Sequence, residues 1–282
     1  MLKKLKYFIK RKKFEHRRKK FAPYTKGIIY NTENGIIAMS HEDMMIGKSL
    51  GRKGSWNSKE IDSLRKIVQP DDIIYFVGTH VGTLLIPIAT HCKKVIGYEA
   101  NPETFWFLKK NVVFNDLENV ELFNLAVGDS KKKMCFIQNR MNTGGSKVKP
   151  IINDFRYKFD NPEEIEVDMI ALDSHTKEFD LPAASGIVMD IEGAEYFALQ
   201  GMKNTLESAR FLYMEYVPHH LKNVSNIKNT ELIDLVVPYF TIAVSQATGK
   251  EFGLTENRTD FISFLDYLDQ NDKSDDFLFK KN

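Results

Sequence analysis

Val77-Gly78-Thr79-His80-Val81-Gly82 puts a glycine turn directly after the apolar run Ile73–Val77, and two later segments are built the same way. Gly97-Tyr98-Glu99-Ala100-Asn101-Pro102 ends a second apolar run with a carboxylate. Met189-Asp190-Ile191-Glu192-Gly193-Ala194-Glu195 ends a further run with two acids close together. Apolar strands that each finish in a polar loop, in this order, fit a ligand held along the carboxyl ends of a parallel sheet.

Working outward, strands are expected at Ile73–Val77, 95–98, 120–127, 186–190 and Phe211–Tyr216, with helices at 83–91, 101–115 and from Ala194 to about Gln200. Asn101-Pro102-Glu103 reads as a helix start, with Asn as cap and Pro at the first helical position. This alternation implies an α/β fold, a parallel sheet with helices on both faces. Upstream, Asn34-Gly35 between apolar runs predicts a hairpin, and Ser58 caps a helix that Pro70 stops. Residues 133–149 break the alternation with a short strand and the turn Thr143-Gly144-Gly145-Ser146. Another strand follows at 165–172, and the whole reads as a small β insertion covering a sheet edge or the substrate mouth. A helix over 230–237 and closing strands at 240–244 and 261–264 complete a domain spanning 22–265. Residues 266–282 read as a polar C-terminal tail.

The chain has 282 residues, 43% of them hydrophobic, enough for one large α/β domain. No apolar run approaches the roughly 20 residues that span a bilayer. The basic start is not followed by the apolar stretch of a secretory signal. Cys92 and Cys135 form neither a disulfide framework nor a zinc pattern. Both lie among apolar neighbours and read as buried thiols, which points to a reducing, cytoplasmic compartment.

The net charge of +2 conceals an asymmetry: residues 1–20 hold eleven Lys/Arg and one acid, leaving the remainder with a net of −8. Leu2, Leu5 and Ile9 share one side of a helix, with Phe8 beside them, and the rest of residues 1–21 is mostly basic. Such an arm suits an anionic membrane surface, placing the protein peripherally at the inner face, or an acidic partner. A solvated tail and an RNA contact are the other readings. The acidic body argues against a nucleic-acid substrate.

At the strand ends, Gly78 and Gly82 allow a tight turn and close approach to a ligand. Glu99, at the end of the next strand, can accept hydrogen bonds from both hydroxyls of an adenosine ribose. The glycine spacing is G-x-x-x-G rather than the G-x-G-x-x-G that a dinucleotide pyrophosphate needs. That favours a sulfonium cofactor without phosphate. His80, inside the turn, either touches the cofactor or faces solvent. Asp190 and Glu192 are positioned to hold an ammonium, take a proton from a hydroxyl, or bind a hard cation. Glu195 reads as a first-turn helix residue. His219 and His220, after the strand ending near Glu215, are candidate bases at a strand-end loop.

Together these segments resemble the FkbM family of S-adenosylmethionine-dependent methyltransferases. The pieces that carry the likeness are VGTHVG (77–82), YEANPE (98–103), NLAVGD (124–129), ALDS (171–174), MDIEGAE (189–195) and YMEY (213–216), with GRKGSW (51–56) as the lead-in. The resemblance implies a class I methyltransferase (Rossmann-like) fold with a seven-stranded, mostly parallel sheet in the order 3-2-1-4-5-7-6. It implies S-adenosyl-L-methionine as cofactor and O-methylation of a small-molecule, sugar or glycan hydroxyl. The residues matching its cofactor positions are Gly78, Gly82, Glu99 and Ala126, joined by His80 and Asp190. Asp190, Glu192 and His219 are the catalytic candidates, Asp190 orienting the methionine ammonium and Glu192 or His219 receiving the proton. No metal is assigned. One position departs from the family: Phe76 stands where an acid precedes the first glycine. Either Asp190 replaces that acid, or the chain is a catalytically weak or inactive binding module at a membrane or glycan-assembly complex.

Overall fold

The computed structural model describes residues 2–21, 24–152, 154–158 and 160–281, with side chains from residue 7 onward. The basic arm is a helix, Leu2–Phe21. It docks on the body through buried Phe14, through Arg17 donating to the His41 carbonyl, and through an Arg18–Glu42 ion pair at 2.6 Å. Phe8 and Ile9 are exposed, whereas the expected stripe members Leu2 and Leu5 have side chains outside the described set. The expected hairpin follows, β1 (Gly27–Thr32) and β2 (Gly35–Ser40), but its turn is Glu33-Asn34 rather than Asn34-Gly35: Gly35 pairs with Thr32 and opens β2 at φ 102°. Asn34 also accepts the Trp56 N–H and donates to the Trp56 and Thr83 carbonyls, fixing the loop ahead of the next helix, Ser58–Arg65.

The core strands run β3 (Ile73–Val77), β4 (Lys94–Tyr98) and β5 (Val120–Phe123), with helices Leu85–Ala89 and Pro102–Phe114 between them. Then come β6 (Ala126–Gly128), β7 (Lys132–Gln138), β8 (Lys147–Val148) and β9 (Glu163–Ala171). Last are β10 (Gly186–Met189), β11 (Phe211–Tyr216), β12 (Ile242–Ser245), β13 (Glu251–Gly253) and β14 (Asp275–Lys280). The main sheet has the order β13-β12-β14-β11-β10-β3-β4-β5. From β5 across to β11 all pairs are parallel, and β14 is antiparallel to its neighbours β11 and β12. The sheet has eight strands rather than seven, because β13 extends one edge as a hairpin on β12. With β13 set aside, the order by position along the chain is 3-2-1-4-5-7-6. The insertion forms its own four-stranded sheet, β6-β9-β7-β8.

Alternation along each strand separates two cores. Tyr75, Val77, Met189 and Met214 face one way, toward helices Glu195–Gln200 and Arg258–Gln270. Ile74, Phe76, Val188 and Tyr213 face the other, toward Ser58–Arg65 and Leu85–Ala89.

The C-terminal expectations are overturned. Residues 261–264 are not a closing strand but part of the helix Arg258–Gln270. Phe261, Leu265 and Leu268 are buried at a helical spacing. Residues 266–282 are not a polar tail either, since β14 lies within the sheet between β11 and β12. Phe277 and Phe279 alternate into the core and are fully buried, each worth about 1.5–3 kcal/mol of burial. Cys135 is exposed, on the solvent side of β7, and Cys92 is buried as expected.

Candidate functional site

The carboxyl ends of β3, β4, β10 and β11 open into one cavity of about 570 Å³. The loops before Ser58–Arg65, the insertion and the start of β14 complete its walls. Pockets of roughly 300–1,000 Å³ are the size that small ligands occupy.

The expected cofactor residues converge here, with one exception. Gly78, His80, Glu99, Ala126 and Asp190 line the cavity. Gly78 has φ 87°, and a Cβ there would lie 1.9 Å from the Asp190 carbonyl oxygen. The absent side chain therefore lets the ends of β3 and β10 close on each other. Gly82 (φ 91°) is not on the cavity wall; it faces Leu108 and Ile86 behind the turn and shapes the turn from outside.

Glu99, 8% exposed, accepts the His80 N–H at Oε2 (2.7 Å) and the Asn101 N–H at Oε1 (2.8 Å). Burial pushes its carboxyl up to about 7, although both backbone donors favour the charge. Asn101 in turn caps helix Pro102–Phe114 by accepting from the Glu103 and Thr104 N–H groups, so the helix start holds Glu99 in place. His80 Nε2 lies 2.8 Å from Thr143 Oγ1, whose hydroxyl donates to buried Asp43 at 2.8 Å. The threonine proton is thus committed, and the imidazole donates its Nε2–H. Burial takes His80 down to about 4, against the pull of Asp43 and Glu192, so it stands neutral. Asp43 also accepts the Met45, Gly47 and Thr143 N–H groups, tying the lead-in loop to the insertion across the mouth.

Strand register creates the site's main electrostatic feature. Met189 pairs with Val77 and Met214, and Glu215 pairs with Asp276. One step further along, Gly78, Asp190, Glu215 and Asp276 stand in a row across four adjacent strands. They share the face of Phe76, Val188 and Tyr213. Asp190 opens onto the cavity interior, and the Glu215 carboxyl hydrogen-bonds to it. Burial first, then the charge of Glu192 on Asp190 and of Asp190 on Glu215, pushes both carboxyls far above the usual carboxylate range, although the hydrogen bond from Glu215 pulls Asp190 back. Asp276 accepts from the Tyr213 hydroxyl at 3.4 Å and is raised by burial and by Asp275 to about 6. Opposite it, Glu60 is raised by burial and by Asp276 to about 8. Among the described residues, no ion pair joins a Lys or Arg to Asp190, Glu215, Asp276 or Glu60.

Glu192 has a different environment. Strand β10 ends at Met189, and Glu192 sits in a left-handed turn (φ 57°), so it does not continue the Asp190 row. Its Oε2 is 3.1 Å from Lys147 Nζ and 2.5 Å from His220 Nδ1, and Lys147 Nζ is 3.1 Å from His220 Nε2. Burial alone would raise Glu192; Lys147 and His220 overcome it and hold the carboxyl at about 2. Glu192, Glu215 and His220 also place ligand atoms within 4.8 Å of one another, a spacing a cation can bridge, with the Lys147 ammonium already against two of them.

His219 does not line the cavity. It turns to Asp272 (3.4 Å), and burial lowers it to about 4. Its position does not support the expected role as base. Glu195 is more than a first-turn residue: it is buried and accepts the Ile191 and Gly193 N–H groups at 3.2 Å, bracing the Glu192 turn. Lys147, Glu60 and Asp276 escaped the sequence reading. Lys147 lay in the unassigned insertion, Glu60 in an ordinary helix pattern and Asp276 in the supposed tail.

Compared with known proteins, residues 77–265 match the Methyltransferase FkbM domain, and the chain belongs to that family. Hexuronic acid methyltransferase AglP of Haloferax volcanii is 24% identical over 159 residues, covering 55% of this chain and 62% of AglP. The 2-O-methyltransferase NoeI of Sinorhizobium fredii is 26% identical over 199 residues, covering 65% of this chain and 78% of NoeI. A crystal structure of an FkbM methyltransferase from Methylobacillus flagellatus aligns at 14% identity and a TM-score of 0.41, over 74% of this chain and 43% of that one. The chain thus spans under two thirds of AglP and under half of the Methylobacillus protein. No helix among the described residues is long and apolar enough to cross a membrane.

Proposed function

We propose that this protein is an S-adenosylmethionine-dependent O-methyltransferase acting on a hydroxyl of a sugar, glycan or small metabolite. The observation that carries this reading is the placement of Glu99 and Asp190 on either side of the Gly78 turn in one cavity. Family membership supports it, as do relatives named as a hexuronic acid methyltransferase and a 2-O-methyltransferase.

The donor set fits the cofactor. Glu99 keeps lone pairs free for the ribose hydroxyls, Ala126 and Leu125 give an apolar wall for the adenine, and Asp190 offers a carboxylate to the ammonium. When bound, S-adenosylmethionine supplies a methyl group on a cationic sulfur, open to in-line attack. The chain's own task is alignment and proton removal. Glu192 is committed to Lys147 and His220, so the role of base falls to the Asp190–Glu215 pair. The pair shares a proton, burial raises its proton affinity, and Asp190 opens onto the cavity. Phe76, buried beneath this row, leaves Asp190 to supply the acid two positions further along, at the end of the neighbouring strand. The basic helix Leu2–Phe21 provides a face for an anionic membrane surface, which would keep the protein beside a membrane-borne acceptor.

Phe76 also favours a second reading, a binding module of this fold without transfer activity. Titration calorimetry with S-adenosylmethionine, followed by transfer of a labelled methyl group to sugar acceptors, separates the two. Micromolar binding with label incorporation is expected. Binding without incorporation, or no heat at millimolar cofactor, supports the module.

A further inference from the structure

The cavity continues past Asp190 and Glu215 into a lobe whose chemistry is set by Asp276, Glu60, Tyr213 and Trp56. Three elements deliver the polar groups: β14 brings Asp276, β11 the Tyr213 hydroxyl, and helix Ser58–Arg65 brings Glu60 from above. Trp56 borders the same space, its backbone fixed by Asn34. Asp275 is held by Ser245 Oγ and the Ala247 N–H, and its charge still reaches Asp276 beside it. Lys59 is the one Lys or Arg on the described cavity wall, and it is exposed at the rim.

Resting on the methyltransferase reading, we propose that this lobe is the acceptor subsite and that it selects a sugar-like hydroxyl compound bearing an amine. Neutral sugars are tolerated, and carboxylated or phosphorylated ones are excluded. The argument is one of charge and shape. Asp190, Glu215, Asp276 and Glu60 line one cavity without a paired cation among the described residues, Asp190 open to it and the other three half-buried. An ammonium between Asp276 and Glu60 relieves their repulsion and gains charge-assisted hydrogen bonds. A carboxylate or phosphate placed there meets like charge, which weakens its binding. The Trp56 ring offers a flat apolar wall to the C–H face of a sugar, and the Tyr213 hydroxyl adds a polar contact.

The test is binding of three probes of equal size: methyl glucosaminide, methyl glucoside and methyl glucuronide. They are titrated by ligand-observed NMR at pH 7 in EDTA, with S-adenosylhomocysteine saturating so that the cofactor's own ammonium is already placed. The expected order is glucosaminide, glucoside, glucuronide, with about tenfold or more between first and last. In Glu60→Gln/Asp276→Asn the spread should shrink to about threefold or less. Glucuronide binding as tightly as glucosaminide overturns the proposal. So does an unchanged spread in the variant, or no binding of any probe while S-adenosylhomocysteine still binds. If the double variant does not fold, the wild-type order and Glu60→Gln alone decide. Failure to bind S-adenosylhomocysteine at all marks instead the failure of the methyltransferase reading.

Discussion

Asp190 and Glu215 are neighbours in register on parallel strands β10 and β11 and hydrogen-bond to each other through their carboxyls. Two carboxyls can do this only by sharing a proton, and burial holds that proton far above the usual carboxylate range. Asp190→Asn removes the ionised member while preserving a hydrogen bond to Glu215. Methyl transfer should fall by about 10²–10⁴ in kcat, the usual contribution of a positioned base. Glu215→Gln exchanges the carboxyl donor that lowers the Asp190 pKa for a weaker amide donor, so the Asp190 pKa rises further. The acidic limb of the kcat profile should then move to higher pH. An unmoved limb would show that the pair does not titrate with activity.

Glu99 is the second anchor. Its oxygens receive the His80 and Asn101 N–H groups, so the backbone aims the carboxylate before any ligand arrives. Glu99→Gln should weaken S-adenosylhomocysteine binding by about 1.5–3 kcal/mol, roughly 10- to 150-fold, as expected for hydrogen bonds to a charged group. Calorimetry reads this directly. A loss below about threefold would remove Glu99 from the cofactor site.

The raised carboxyls also predict a pH dependence of stability. A buried acid whose folded pKa lies above its unfolded value holds more protons when folded, so stability falls as pH rises between the two values. Glu99 and Glu195 are raised to about 7 and Glu60 to about 8. His80 and His219 are lowered to about 4, so they oppose this trend only below their unfolded pKa near 6.5. The ligand-free protein should therefore lose stability from pH 6.5 to 8.5. Glu195→Gln should flatten that slope, because Glu195 is buried and its Oε2 has no partner. Thermal melts across the window check it; a melting temperature that rises toward pH 8.5 contradicts it.

The parallel core was legible in the sequence because each strand ends in a polar loop and each helix starts with a recognisable cap, Asn101-Pro102 being the clearest. The C-terminal quarter was not. Phe261, Phe264, Leu265 and Leu268 carry a helical period that a four-residue window reads as an apolar run. The alternation of Phe277 and Phe279 was hidden among acids and lysines. That misreading concealed Asp276. Lys147 was illegible for another reason: its meaning depends on a contact with Glu192, 45 residues away, and no local pattern records it.

Lys147 itself supports a sharp expectation. Its side chain is 2% exposed and its ammonium sits between Glu192 and His220. Lys147→Met leaves the buried Glu192 carboxylate facing His220 without the ammonium and should cost about 3–5 kcal/mol of stability. Adding Glu192→Gln should restore much of that loss, since the double variant no longer buries a lone carboxylate. Denaturant unfolding of the two variants measures it. Equal stability of the single and double variants would mean the ion pair carries no net coupling.

The arm makes the last prediction. Helix Leu2–Phe21 is held to the body through Phe14 and Arg18, yet Phe8, Ile9, Lys13, Lys19 and Lys20 remain exposed. Exposed basic residues near an anionic bilayer contribute about 1 kcal/mol each. Lys13→Glu/Lys19→Glu/Lys20→Glu should therefore weaken binding to phosphatidylserine-containing vesicles by at least about 100-fold, while leaving the Phe14 and Arg18 contacts in place. Neutral phosphatidylcholine vesicles should bind weakly in both forms, because Phe8 and Ile9 alone bury too little apolar surface. Vesicle flotation at low and at physiological salt reads both effects. The wild-type association should fall as screening rises. Equal recovery of wild type and triple variant with anionic vesicles would assign the helix a purely structural role against the 41–42 loop.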